Sequence, residues 1–276
     1  MGLEFLQYSF MLRGFAAGLI VAVIAPLIGV FLVLKRYSLI ADTLSHVSLA
    51  GISIGLLFGL NPGLTSLGLT VATALGLEKM RRGKIYSEAA LAIFLSGSLA
   101  LAVVIFSLAR GFNINLLNYL FGSVLTVSAR DIYLIASLAI IIFAGILFFF
   151  KELVAVTFDE EAAQVSGLPV RSINTIFIIM AALAVSISIP VVGVLLIAAL
   201  VVIPAVTALR FKKNLVKTIV YAEVISILAV ISGIILSYYL NLAAGGTIVL
   251  LMLAVFIIVS LYKREKKYVY VRSDQK

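Results

Sequence analysis

The chain has 276 residues, of which 63% are hydrophobic and 12% charged, with a formal net charge of +9. An ordinary soluble domain is about half apolar and about a quarter charged, so this chain has too few polar side chains to cover a particle in water, and its solvent is lipid. Cysteine is absent, which excludes disulfides, thiolate metal sites and cysteine nucleophiles.

Apolar runs long enough to cross a bilayer, about 17–25 residues, lie near 10–34, 39–60, 62–77, 87–109, 131–150, 172–189, 191–209, 215–239 and 244–262. The expected fold is an all-α integral membrane protein, one transmembrane domain over 1–276 with nine helices. The third run is short and rich in Gly and Thr, and the sixth and seventh meet at Pro190. The count is eight if one of these does not cross. The first run is too long for the apolar core of a signal peptide and has no small-residue cleavage site after it.

Between the fourth and fifth runs, residues 111–130 carry an apolar stretch too short to span, read as an interfacial or re-entrant helix. Ser128 with Asp131 three residues on has the form of a capping box opening the fifth span. The segment 156–170 predicts a separate helix of about nine residues over 158–166. Thr157 is its expected cap, with Glu160 answering back. Asp159, Glu160 and Glu161 sit where the helix dipole favours negative charge. Gly167 and Pro169 supply the stop.

The basic residues test the span assignment, because short cytoplasmic loops collect Lys and Arg. Lys35, Arg36, Lys79, Arg81, Arg82, Lys84, Lys151, Arg171, Arg210, Lys212, Lys213, Lys217 and the six in the tail 263–276 fall on one side. Only Arg13, Arg110 and Arg130 fall on the other. This bias puts the amino terminus outside and the carboxyl terminus in the cytoplasm. The charge of +9 is thus a topology signal, and nucleic acid is not an expected partner.

An ionisable group at mid-membrane costs about 2.5–3.5 kcal/mol on insertion scales, so each one needs a reason. Asp42 and His46 lie in the second run, Glu88 opens the fourth and Glu223 lies inside the eighth. Four residues apart, Asp42 and His46 share a helix face with Leu49 and Ser53, while Gly51, Gly55 and Gly59 line the opposite side as a close-packing stripe. Imidazole with carboxylate suits Zn²⁺, and also Mn²⁺ or Fe²⁺. The plainer alternatives are a helix-packing hydrogen bond or a proton relay. Two ligands do not complete a zinc site, but an ion that must leave is better held weakly. Glu88 reads as a solvated boundary residue, and Glu223 as structural before path-lining. No phosphate-binding loop, nucleophile elbow or zinc-protease motif occurs. The chain is therefore not expected to be an enzyme, and nucleotide hydrolysis would belong to another chain.

Five blocks carry a resemblance over nearly the whole length: LKRYSLIADTLSHVSLAGISIGLLFGLNP at 34–62, NYLFGSVLTVSARD at 118–131, TFDEEAAQVSGLPVRSIN at 157–174, VVGVLLIAALVVIPAVTA at 191–208 and SGIILSYYLNLAAGGTIVL at 232–250. In these the sequence resembles the permease subunits of bacterial zinc and manganese ABC importers, with DTLSHVSLAG and TFDEEAAQVSGLPVR closest to the zinc-uptake branch. The resemblance implies a type II ABC-importer permease in the cell membrane. It implies a homodimer, each copy binding a cytoplasmic ATPase, with an extracytoplasmic metal-binding protein delivering the ion. It also implies that 158–166 is the coupling helix, bringing Phe158, Asp159, Glu160, Glu161 and Gly167 to the ATPase. Asp42 and His46 match the motif residues expected to line the metal path. Some family members have a second histidine in the fourth span where this chain has Ser96, which makes Ser96 a path-lining candidate; Ser53, on the face of Asp42 and His46, and Glu223, which has no family counterpart, are the others. The cargo implied is Zn²⁺, with Mn²⁺ or Fe²⁺ as alternatives, and no permanently bound cofactor. A proton-coupled secondary carrier, with Asp42 and His46 handling the proton, is the reading from another class. A permease for a metal chelate would need a wider apolar cavity and no Asp42.

Overall fold

The computed structural model describes residues 9–82, 87–108, 119–122 and 127–273, with side chains placed for 11–81, 88–108, 119–122 and 127–262. Its helices are α1 (Ser9–Leu34), α2 (Ser38–Leu57), α3 (Pro62–Arg82), α4 (Ser87–Leu108), α5 (Ala129–Phe148), α6 (Phe150–Phe158), α7 (Glu160–Val165), α8 (Val170–Val192), α9 (Val194–Leu209), α10 (Leu215–Leu240) and α11 (Ala244–Ser273). The protein is all-helical among the described residues. Most of the expected helix at 111–130 lies outside them.

Among the described residues, seven helices are long and apolar enough to cross a membrane: α1, α2, α4, α5, α8, α10 and α11. The other two expected spans are helices of a different kind. The third continues to Arg82 and takes Glu78, Lys79 and Arg81 into its last turns, so it is less apolar than the run 62–77 suggested. The seventh, α9, has 16 residues, about 24 Å of helix, shorter than a bilayer core of about 30 Å.

Of these seven, three form the interior. α1, α2 and α8 are mostly buried, while α4, α5, α10 and α11 show most of their surface outward. The side chain of Phe31 on α1 meets Phe150 and Phe177 edge-on, with ring centroids 6.2 and 6.1 Å apart, fixing α1 against α6 and α8. α2 packs against α3, α4, α8 and α9, and α3 and α8 also pack against each other.

Two boundaries differ from the sequence reading. α8 runs through Pro190 and stops at Gly193, whose φ of +88° is what breaks the chain direction. Proline lacks the N–H but keeps helical φ, so it weakens the helix without ending it there, whereas a positive φ cannot continue a right-handed helix. The fifth span, for its part, resumes after a break at Phe149 as α6 and carries helix to Phe158.

Candidate functional site

α2 begins at Ser38 after a tight turn in which the Tyr37 amide bonds the Leu32 carbonyl, with Arg36 in the left-handed region. Asp42 and His46 follow one turn apart on this central helix. His46 Nε2 lies 3.7 Å from Asp42 Oδ1, wider than a hydrogen bond. Two donors sharing a zinc ion at a tetrahedral angle stand about 3.3–3.5 Å apart, given Zn–N and Zn–O bonds of about 2.0–2.2 Å. The pair therefore sits slightly too wide to bond each other and close to the spacing that accepts a cation between them. His46 is 8% exposed. Its Nδ1 is buried without a hydrogen-bond partner among the described residues, an arrangement that costs free energy unless something else satisfies it. The Asp42 side chain is 37% exposed, so the pair opens to the surface of the single chain.

The rest of α2 holds this pair in place. A methyl on Gly51 would lie 2.6 Å from Ser66 Cα, and one on Gly55 would lie 2.9 Å from Pro62 Cα, so these two glycines let α2 and α3 pack backbone to backbone. Gly59 does not belong to that stripe. It stands beyond the helix at φ +65°, meets nothing within 4 Å, and ends α2 with the Leu60 amide on the Gly55 carbonyl. Thr43 reaches the Leu91 carbonyl of α4 at 3.5 Å. About 200° round α2 from His46, Ser48 meets Ser66 of α3 and Ser186 of α8 in a buried hydroxyl junction, with Ser66 and Ser186 3.0 Å apart. This junction floors a cavity of about 220 Å³, lined also by Asn61, Tyr119, Asp131 and Pro190, that does not reach Asp42 or His46. Burial and the Asp131 carboxylate push the Tyr119 hydroxyl up from its ordinary pKa. Asp131 also forms the expected capping box with Ser128, its Oδ2 accepting from the Ser128 amide at 2.9 Å.

The other sequence candidates scatter. Ser53 is fully buried and donates to the Ala50 carbonyl at 2.7 Å. Ser96 is exposed on the outward side of α4, Glu88 is exposed at its start, and Glu223 is half-buried on α10.

The short acidic helix is present, but smaller than expected and differently capped. α7 spans six residues, and its cap is Asp159, whose Oδ1 accepts from the Ala162 amide at 2.9 Å. Thr157 cannot cap because it lies inside the last turn of α6, and its hydroxyl is buried without a partner among the described residues. Nor does Glu160 answer back to a cap. Its Oε1 instead accepts from Asn174 Nδ2 of α8 and lies 3.5 Å from Arg81 Nη2 of α3. Phe158, Glu161 and Val165 face outward, and Gly167 at φ +82° closes the helix.

Glu160 enters a charged cluster that sequence reasoning missed. Glu78, 4% exposed, grips Arg81 with both oxygens at 3.1 and 3.2 Å. Arg81 also donates to the hydroxyl of Tyr37, the residue that precedes α2. Lys35 donates to Asn174 Oδ1 at 2.9 Å, and burial lowers its pKa to about 8 against the attraction of Glu160. One signal was available: Glu78 stands three residues before Arg81, a spacing that pairs on a helix.

Fold and site together define a multi-helix membrane protein in which one mostly buried helix carries a carboxylate and an imidazole one turn apart, the carboxylate reaching the surface of the single chain. The chain belongs to the ABC 3 transport family, whose family model matches residues 7–263. It is 32% identical over 261 residues to the high-affinity zinc uptake system membrane protein ZnuB of Haemophilus influenzae, covering 94% of this chain and 100% of that one. It is 30% identical over 258 residues to the manganese transport system membrane protein MntC of Listeria monocytogenes, covering 93% and 92%. Among solved structures, PsaBC from Streptococcus pneumoniae in complex with Fab superposes with a TM-score of 0.88 at 27% identity, over 99% of this chain and 100% of that chain.

Proposed function

We propose that this chain is the membrane-spanning permease subunit of an ATP-driven importer for a divalent metal ion, with Zn²⁺ the first candidate and Mn²⁺ or Fe²⁺ carried by the same mechanism as the alternatives. The observation that carries the reading is the Asp42–His46 pair on the central helix, with His46 Nε2 3.7 Å from Asp42 Oδ1. Asp42 and His46 give the ion brief coordination as it passes. No cluster of three or more His, Cys, Asp or Glu side chains occurs among the described residues, so one chain offers two donors. A second copy facing the first doubles that to the four that zinc prefers, which favours a homodimer with the path between its halves. Relatives named for zinc and for manganese leave the cargo open, and the donor chemistry accepts both.

The chain holds no nucleotide-binding motif, so ATP is hydrolysed by a separate cytoplasmic ATPase. α7, with outward-facing Phe158, Glu161 and Val165, is its docking point. An extracytoplasmic binding protein delivers the ion at the opposite end. With α3 and α9 counted beside the seven long apolar helices, nine crossings and an outside amino terminus put α7 and 18 of the 21 basic residues on the cytoplasmic side. The test is growth of cells lacking their own zinc and manganese uptake, supplied with this permease and its ATPase and binding protein. Rescue on limiting metal that is lost with Asp42→Ala supports the reading; rescue that is indifferent to Asp42→Ala and His46→Ala removes the pair from the path.

A further inference from the structure

The acidic helix α7 does more than face outward. Its first residue turns back into the bundle, and the contacts there form a continuous track. Glu160 holds Asn174 at the start of α8, and Asn174 in turn holds Lys35 at the end of α1. On its other side Glu160 faces Arg81, which is locked by the buried Glu78 and reaches Tyr37, the residue from which α2 begins. From Tyr37 to Asp42 is five residues, about 7.5 Å along the axis. α3 and α2 also touch backbone to backbone at Gly51 and Gly55, and such close-packed contacts pass on displacement because they have no slack.

The two halves of the track differ in how easily they part. Glu78 and Arg81 belong to one helix, and Glu78 is almost wholly buried. Glu160 is 42% exposed, and beside it lies a cavity of about 190 Å³ bordered by Arg81, Glu161, Gln164 and Arg171. Its bonds can therefore be broken and remade in water at little cost, with room for α7 to shift. Glu78–Arg81 is a fixed handle on α3, and Glu160 is the hand that takes it.

We infer that Glu160 is a positioning residue for transport: through Arg81 and Asn174 it ties the movement of α7 to α3 and α8, and through Tyr37 and the α2–α3 contact to the helix that carries Asp42 and His46. This rests on the proposed function, and it separates two roles within one acidic run. Glu161 belongs to the docking surface, and Glu160 to transmission inside the permease.

The experiment is ATP-driven zinc flux into liposomes by the full complex of permease, ATPase and binding protein, measured together with ATP turnover and with retention of the ATPase on the purified permease. Glu160→Ala should keep the ATPase bound and turning over, while metal moved per ATP falls by about tenfold, within the range of ordinary coupling energies. Glu160→Gln, which keeps an acceptor for Asn174 but loses the charge facing Arg81, should restore part of the ratio. Asn174→Ala should lower it in the same direction, and the double variant with Glu160→Ala should fall less than the product of the two. Wild-type flux per ATP in Glu160→Ala overturns the inference alone. Loss of the ATPase from that variant also overturns it, because Glu160 would then act by docking. A wild-type complex that turns over ATP without moving zinc, manganese or iron overturns the proposed function, and this inference with it.

Discussion

At the Gly193 end of the bundle, helices meet through their backbones, whereas at the Lys35 end they meet through charged side chains. Gly122, Gly193 and Gly245 converge there: a methyl on Gly193 would lie 2.5 Å from the Leu120 carbonyl oxygen, and one on Gly245 would lie 2.5 Å from the Val192 carbonyl oxygen. At the other end Lys35, Tyr37, Glu78, Arg81, Glu160 and Asn174 join α1, α2, α3, α7 and α8 through hydrogen bonds and ion pairs. A backbone contact has one arrangement that fits, while a side-chain network can be exchanged bond by bond. The comparison teaches that the two ends suit different tasks, a fixed closure at one and an adjustable linkage at the other.

The comparison breaks most severely if the Gly193 end tolerates side chains. Gly193→Val combines a positive φ with backbone overlap and should cost about 4 kcal/mol or more, read as loss of monodisperse folded protein in detergent. Gly246→Ala, where an added methyl meets nothing within 4 Å, should leave folding unchanged or slightly improved. At the charged end the largest loss should come from Arg81→Met, which leaves the Glu78 carboxylate without its bidentate partner. A cost of about 2 kcal/mol is expected, seen as a lower melting temperature and smaller than for Gly193→Val.

Lys35 sharpens the picture through pH. Its pKa is near 8 in the folded protein and 10.5 when unfolded, so between these values the unfolded chain binds more protons. Stability should then rise with pH across that window, because below it the folded state carries a buried cation. The groups around Lys35 are Glu160, Arg81 and Glu78. Lys35→Met should flatten the rise in melting temperature between about pH 8 and 10.5, and an unchanged slope would show that Lys35 is not the source. The smallest effect is expected at the hydroxyl junction, where Ser66→Ala removes shared hydrogen bonds and should cost about 1 kcal/mol without changing transport.

The spans were legible because lipid demands long apolar runs, and Asp42 with His46 stood out because ionisable groups within such runs are rare. The Ser128–Asp131 cap was legible because it depends on local spacing alone. The centre of the bundle was not. α8 has 72% of its span buried and α4 has 22%, yet the two are equally apolar, since a lipid-facing side needs no polar residues. Gly51 and Gly55 announced close packing but not the partner, and Gly59 was indistinguishable from them until the helix end was seen. Thr157 and Asp159 both qualify as caps, and only the continuation of α6 to Phe158 decides between them. The ties from Arg81 to Tyr37 and from Asn174 to Glu160 join residues far apart in the chain, which no spacing rule reaches.

The most direct test of the central claim is radioactive zinc uptake by liposomes holding the permease with its ATPase and binding protein, comparing wild type with Asp42→Ala/His46→Ala. Uptake that depends on ATP and disappears in the double variant, while the complex still assembles, is the predicted result. Undiminished uptake by that variant would contradict the claim that a cation passes between Asp42 and His46.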